Sequence, residues 1–388
     1  MKKGIYIFFC WSQSVGGGQT YVNSKVKYLK EIGWEVLVFT PREKKSNDII
    51  WTNLEEYSNL ISLYLQFPPE FWPARVRKKV IQWMVSFANK TTENIIIESP
   101  TDSTAEWGEL LAKELNAKNF CFLLDERLEE YRAKEFLYFK FERGEVAGIH
   151  ESSIPKLFGL NVDGTKYKLA ATNNGAVQDI NSKVVDSIVR KDFNIAYLGR
   201  DKAYVKNIVT SIYRFATDHA DNTFNFIVMG EINSACNIRK PSNVTLINVG
   251  FFNPIPRTFF GKIDVVIAGA GCASLSAKEG VLTIVADAKT FKSDGVLGID
   301  TDSSLFSTTH NEEFETTLEN VLINKKYDTK DIKLADRIDP ATSYKKHFEF
   351  IESSKQDKIY YDFTANKQKL DLRKRLQYLR DILRFLKK

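Results

Sequence analysis

FNIAYLGRDKAYVK, residues 193–206, starts as an apolar run, stops on Gly199 and continues into a segment of helical periodicity. The run predicts a buried strand, Gly199-Arg200 the turn that leaves it, and Val205–Thr217 the helix that follows. The same order opens the chain. GIYIFFCW (4–11) reads as a buried strand, and Gly16-Gly17-Gly18 lead into a helix near Thr20–Ile32 with Val22, Val26 and Leu29 on one face. Between these two openings, WEVLVFTP (34–41), NIIIESP (94–100), NFCFLLDE (119–126) and EVAGIH (145–150) read as strands. Helical patterns cover Ala74–Ala88, Glu106–Leu115 and Tyr131–Glu142, Ser152 or Ser153 is placed to cap one more, and YKLAATNNGAV (167–177) closes the half. Beyond residue 206 the strands are TFNFIVMGE (223–231), NVTLINVG (243–250), IDVVIAGAG (263–271) and VLTIVADA (281–288), with a short helix at Ser274–Lys278. Strands alternating with helices predict parallel sheets covered on both faces. The fold class is therefore α/β, with two Rossmann-like doubly wound domains at 1–180 and 181–345. Residues 346–388 form closing helices and a basic tail.

Composition agrees. With 388 residues, 43% hydrophobic and 27% charged, the chain excludes collagen, a disulfide mini-scaffold and wholesale disorder. The charge-free stretch Gly4–Ser24 is too polar in its second half to span a membrane, and IYIFFCW has no cleavage site after it, so a cytoplasmic protein is expected. Cys10, Cys121, Cys236 and Cys272 are widely spaced in apolar runs, which predicts neither disulfide nor zinc site. The net charge of +6 is local: residues 366–388 hold nine Lys/Arg against two Asp, so the rest is near neutral. A protein-wide nucleic-acid surface is excluded, and a local anionic partner is indicated.

Ligands of open parallel sheets bind past the carboxyl ends of the strands. Three glycine turns lie there. Gly16-Gly17-Gly18 lets the backbone approach a ligand, with Gly17 and Gly18 the candidates; the alternative is an ordinary strand–helix loop. Gly199-Arg200 with Lys206 six residues on can clamp a diphosphate, Arg200 as a fork and Lys206 as a point charge. AGAGCAS (268–274) offers Gly269, Gly271, Cys272, Ala273 and Ser274, with Ser274 read as the helix cap aiming amides at a phosphate. It also matches half a dinucleotide fingerprint, which keeps a dehydrogenase in view, although the fingerprint falls late in the chain. Carboxylates gather at strand ends in the first half: Glu98, Asp125, Glu126, and Glu151 beside His150. Asp125 or Glu126 is the candidate acid or base, Glu98, His150 and Glu151 acceptor-side candidates; each can equally be a solvated strand-end charge. The histidines have no paired spacing, so no metal site is expected.

Together these segments resemble the nucleotide-sugar glycosyltransferases of the GT-B fold, especially the family-4-like ones, over roughly residues 4–350. The resemblance is carried by Gly16–Gly18, NNGAV (173–177), IAYLGR with Arg200 and Lys206, IVMGE (227–231) with Gly230 and Glu231, NVTLINVGFF (243–252) with Gly250 and Phe251, and the 268–274 turn. It implies two domains facing across a cleft, the first taking an acceptor and the second a sugar nucleotide. It also implies that Arg200 and Lys206 hold the diphosphate and that the NVGFF segment holds the base. The family's pair of glutamates eight positions apart falls near Ala268 and Ser276, neither acidic, and Glu279 is the nearest carboxylate. The donor sugar is then held differently, and retention or inversion stays open. The reading is a bacterial, metal-independent hexosyltransferase moving a sugar from a nucleotide diphosphate (UDP favoured) to a glycan or lipid-linked acceptor in capsule, O-antigen or similar polysaccharide synthesis. No cofactor is expected. A sugar-nucleotide epimerase and a non-catalytic GT-B-like subunit are the alternatives. Basic amphipathic segments at Arg75, Arg77, Lys78 and Lys79, and in the tail at Arg373, Lys374, Arg375, Arg380 and Arg384, predict peripheral contact with an anionic membrane. Equally, Leu372, Leu376, Leu379, Leu383 and Leu386 can bury in the protein core.

Overall fold

The computed structural model describes residues 4–11, 16–41, 56–57, 61–88, 94–124, 128, 131–171, 176–304, 310–334, 339–363 and 380. The chain forms two compact units, Met1–Asn174 with Ile338–Lys388, and Gly175–Arg337.

The first unit is a sheet of β1 (Ile5–Phe9), β2 (Glu35–Phe39), β3 (Glu56–Tyr57), β4 (Ile95–Ser99), β5 (Lys118–Leu123) and β6 (Val146–Gly148), in the order β3-β2-β1-β4-β5-β6. Every pairing in it is parallel. Alternation along β1 explains why both faces are covered. Ile5, Ile7 and Phe9 face a core with Val80, Met84, Trp107 and Leu111, while Tyr6 and Phe8 face one with Tyr21, Val22, Val26 and Leu29. The covering helices include α1 (Gly17–Glu31), α2 (Ala74–Val85), α3 (Asp102–Leu115), α4 (Lys134–Glu142) and α5 (Ser153–Phe158).

The second unit repeats the topology. The short β7 (Val177–Gln178) precedes α6 (Lys183–Asp186). The main sheet holds β8 (Phe193–Gly199), β9 (Phe224–Gly230), β10 (Val244–Asn248), then, after the short β11 (Ile255–Pro256) that pairs with β7, β12 (Val265–Ala268), β13 (Leu282–Ala286) and β14 (Ser293–Val296). Its order is β10-β9-β8-β12-β13-β14, parallel except for the antiparallel β13–β14 pair. Its helices include α7 (Val205–Asp218), α8 (Arg257–Phe260), α9 (Ala270–Lys278) and α10 (Phe314–Leu318).

Several elements differ from their sequence reading. α9 starts at Ala270 with Gly269 as its N-cap, so Ser274 lies inside the helix and does not cap it. Three small residues, Gly269, Ala270 and Gly271, let the chain turn from strand into helix at once. Among the described residues of the 167–177 stretch, Lys168 makes an isolated bridge to Gly148, and Val177 begins the strand Val177–Gln178, which pairs within the second unit. β14 and α10 carry too little periodicity for the sequence to show them. Cys236 is exposed at the end of a short 3-10 turn and Cys272 sits in α9, neither in a strand; all four cysteines are free.

The last described helix, α11 (Pro340–Ser353), belongs to the first unit, where Tyr344 and Ile351 join the α1 side of the core. The segment after it is tied down by polar contacts. Lys118 Nζ donates to Ser354 Oγ at 3.0 Å, and the Tyr361 amide donates to Glu109 at 3.1 Å. Glu109 also pairs with buried Lys140 at 2.9 Å, and Arg143 pairs with Asp357 at 3.2 Å.

Candidate functional site

In the second unit the strand order reverses between β8 and β12, and open sheets of this kind bind ligands past the carboxyl ends of such a strand pair. Glycines make this end compact. Gly199 and Gly230 have φ of +152° and +136°, and a Cβ on Gly230 would collide with the carbonyl of Gly199. Instead the Glu231 amide donates to that carbonyl at 3.1 Å, knitting the two strand ends together. A Cβ on Gly269 would stand 2.9 Å from the Tyr204 hydroxyl, whereas one on Gly271 would meet nothing within 4 Å. The first turn of α9 is therefore walled on one side and open at Gly271, and no side chain caps it. The Ala270 amide donates to the Ser304 carbonyl at 2.5 Å, while the amides that follow it and the helix dipole favour an anion.

Arg200 follows β8 directly and is exposed. Its carbonyl accepts from the Tyr197 hydroxyl at 2.6 Å, which fixes the backbone from which the guanidinium extends. The adjacent Asp201 is occupied elsewhere, accepting from the Ser234 amide at 2.8 Å and its hydroxyl at 2.6 Å. Among the described residues, neither Arg200 nor Lys206, in the first turn of α7, has an acidic partner. Burial pushes the Cys272 thiol up, opposed by the positive charges of Arg200 and Lys202. Arg200 and Lys202 are thus within electrostatic reach of Cys272 in the first turn of α9. Lys202, exposed and without an acidic partner among the described residues, was not singled out by the sequence; its only signal is its place two residues after Arg200 at the same strand end.

The other second-unit candidates are spread out. Gly250 takes φ +75° and its amide donates to Asn248 Oδ1 at 2.9 Å, with half-buried Phe251 next, past the end of β10. Ala273 is in the core, and Ser274 is half-buried on α9. Glu279 is the C-cap of α9, about 15 Å from Gly269 at 1.5 Å per residue. There it pairs with Arg257, which also holds Asp179 at 2.9 Å. The structure does not bring Glu279 to Arg200.

In the first unit the order reverses between β1 and β4. Gly18 has a packing reason to be glycine, since a Cβ there would strike the Trp11 ring; at Gly17 the space is open. Glu98, next to last in β4, is 2% exposed and faces inward. Its carboxylate accepts from Lys25 Nζ at 2.5 Å, Tyr6 at 2.5 Å and Tyr21 at 2.7 Å. His347 of α11 completes the cluster. Its Nε2 lies 3.0 Å from the carbonyl of Ala170, which can only accept, so Nδ1 is unprotonated and receives Lys25 at 3.1 Å. Burial, then the Lys25 charge, holds His347 well below its usual range, and burial lowers Lys25 against the pull of Glu98. Burial first, then Glu98, pushes the Tyr6 and Tyr21 phenols up. A sequence signal existed for this cluster: Lys25 falls on the apolar stripe Val22, Val26, Leu29, and Glu98 interrupts an apolar strand.

His150 and Glu151 follow β6. Burial, then Lys156 and Lys168, lowers His150, and Glu151 is exposed and paired with Lys168 at 2.9 Å. Asp125 and Glu126 lie outside the described residues. On α2, Val80, Ile81 and Met84 are buried in the core, while Arg75, Lys78 and Lys79 are exposed and Arg77 is half-buried. In the tail Arg380 is exposed; Arg373, Lys374, Arg375 and Arg384 lie outside the described residues. Among the described residues no helix is long and apolar enough to cross a membrane, and no group of three metal-ligating side chains occurs.

No protein-family model matches the sequence, and no curated protein matches it. Solved structures do. Anabaena HepE in complex with UDP-glucose superposes with a TM-score of 0.58 at 12% identity, over 90% of this chain and all of that one. The lipopolysaccharide outer core galactosyltransferase WaaB, in its apo form, gives 0.53 at 13% identity over 91% of this chain and 99% of its own. A Listeria monocytogenes protein provisionally assigned as a UDP-N-acetylglucosamine 2-epimerase gives 0.53 at 12% identity, over 93% of this chain and all of that one. At these identities the likeness establishes the fold: the chain has the GT-B fold, two Rossmann-like sheets in succession.

Proposed function

We propose that this protein is a glycosyltransferase that takes a sugar from a nucleotide-diphosphate sugar, UDP-linked by preference, and passes it to a glycan or lipid-linked acceptor in bacterial surface polysaccharide synthesis. The observation that carries the reading is Arg200, without an acidic partner among the described residues, near the open first turn of α9 at the switch point of the second sheet. Negative charge develops on the diphosphate as the sugar leaves. A guanidinium, the amides of a helix start and Lys206 are groups that stabilise it without a divalent ion. Fold neighbours solved with UDP-glucose or described as a galactosyltransferase support the same ligand class. The exposed basic residues of α2 are consistent with working at the inner face of an anionic membrane.

A second reading, a sugar-nucleotide epimerase, is favoured by the Listeria neighbour. One experiment separates the two. The protein is incubated with UDP-glucose, UDP-galactose and UDP-N-acetylglucosamine, with and without a mixture of oligosaccharide acceptors, and followed by proton NMR. Acceptor-dependent UDP release supports the transferase. Conversion of the intact sugar nucleotide to its epimer supports the alternative. No reaction, with no stabilisation by any of the three or by UDP, removes both.

A further inference from the structure

The first unit holds a polar cluster used neither by the buried knot around Glu98 nor by the nucleotide site. α3 begins past the end of β4, started by Thr101, whose side chain and that of Thr104 cap each other's backbone. Asp102, in the first turn, accepts from the Ser103 amide at 2.7 Å and, across the surface, from the Arg132 amide at 3.0 Å. Arg132 in turn pairs with Glu70 at 3.6 Å, both about 30% exposed, and its guanidinium lies 5.5 Å from the centre of the Phe71 ring. Glu106 follows Asp102 by four residues and so shares its face of α3, one turn deeper. Glu106 is 8% exposed, and its buried Oε2 has no hydrogen-bond partner among the described residues. A buried polar atom without a partner costs about 1–3 kcal/mol, so a fold that retains one there leaves a binding capacity unused.

We propose that Glu106, Asp102, Glu70 and Arg132, with the Phe71 ring, form a seat for a saccharide, and that Glu106 hydrogen-bonds one of its hydroxyls. Elimination by charge gives the ligand class. An anion meets three carboxyl groups, and a cation meets Arg132; a neutral ring bearing hydroxyls satisfies both signs, and an aromatic face packs against its C–H side. Burial, then Glu70 and Asp102, pushes the Glu106 carboxyl well up, with only Arg132 opposing. In its protonated state it is a donor as well as an acceptor, which suits a hydroxyl. That this saccharide is the acceptor of sugar transfer rests on the function proposed above; the seat itself does not.

The test is calorimetric titration of the full chain with the methyl glycosides of glucose, galactose, mannose and N-acetylglucosamine, from mildly acidic to mildly alkaline buffer. Wild type, Glu106→Gln and the volume-conserving Glu106→Leu are compared. Tryptophan emission confirms folding, and UDP titration reports the second unit separately. At least one glycoside binds wild type saturably, and its affinity falls as pH rises and Glu106 ionises. Glu106→Gln binds within about threefold and loses that pH dependence, while Glu106→Leu weakens binding about tenfold, the worth of one buried hydrogen bond. The proposal is overturned if no glycoside binds folded wild type, if Glu106→Leu binds as tightly as wild type, or if Glu106→Gln is as weak as Glu106→Leu. Glycoside binding without UDP binding overturns the donor reading and leaves the seat standing.

Discussion

Glu98→Gln keeps the shape of the side chain and removes its charge, leaving Lys25 buried without its counter-ion. The two groups are 2.5 Å apart, with side-chain exposures of 0% for Lys25 and 3% for Glu98. At an effective dielectric of ~20 that separation gives an attraction of about 7 kcal/mol, most of which offsets the desolvation of the two charges. With one partner gone the desolvation stands alone, and the expected loss is about 3–5 kcal/mol. Lys25 limits it, because burial already lowers its pKa and Glu98 is what holds it up, so it can shed its proton. Against a domain stability of ~5–15 kcal/mol the loss is large. The assay is urea unfolding followed by tryptophan emission, which isolates the relevant transition because all six tryptophans lie within Met1–Asn174. With a slope near 2 kcal/mol per molar, the midpoint falls by about 2 M. In Lys25→Met/Glu98→Gln neither charge remains, and most of the loss is recovered. An unmoved midpoint in the single variant, or a double variant as unstable as the sum of the singles, refutes the electrostatic account of this cluster.

Other outcomes follow from the same geometry. Arg200→Ala weakens UDP binding by about 1–3 kcal/mol by calorimetry, and Lys206→Ala weakens it less; unchanged affinity in both variants removes the placement of the diphosphate. On the proposed function, sugar transfer is expected to persist in EDTA, with Arg200, Lys206 and the start of α9 assigned to the leaving group; loss of turnover restored by Mg²⁺ or Mn²⁺ contradicts this. His347 has a folded pKa well below the ordinary 6.5, so it binds a proton more readily when unfolded. Its contribution to stability is present above pH 6.5 and is lost as pH falls from there toward the folded value. The acid limb of first-unit unfolding, read by tryptophan emission, is therefore shallower in His347→Gln, and an identical limb would contradict the assignment. Glu106 has the opposite sense: its folded pKa is raised, so its cost grows as pH rises above the ordinary carboxyl range. Glu106→Gln is accordingly no more stable than wild type in acid and more stable in alkali by thermal melting; a stability gain confined to acid would reverse the sign.

Much of this fold is legible in the chain because parallel strands are buried on both faces. IYIFF, IIIES and FNFIVMG are apolar without interruption or nearly so, and a strand of that kind needs helices on either side. Gly199 and Gly269 mark where the chain leaves the sheet, and strand ends are where doubly wound sheets present ligand groups, so Arg200 and the 269–271 turn are candidates by position alone. The start of α9 was not legible, because Ala270, Gly271 and Cys272 have no periodicity that distinguishes a helix from a loop.

What the sequence determined by itself is local: which runs are strands, where they stop, and that the alternation is carried out twice. Those are set by side-chain pattern and backbone freedom over a few residues. What only the tertiary structure decided is which distant charges meet. Lys25 and Glu98 are separated by 73 residues, and Lys25 and His347 by 322, and no periodicity relates them. They converge because α1 and α11 cover the same face of one sheet, on which Glu98 points inward. Nor could the sequence show that, among the described residues, Glu106 Oε2 is left without a hydrogen-bond partner or that Asp201 turns to Ser234 and leaves Arg200 without an acidic partner. Hydrogen-bond satisfaction depends on what packs around a group, and that is fixed only when the segments holding its neighbours have found their places.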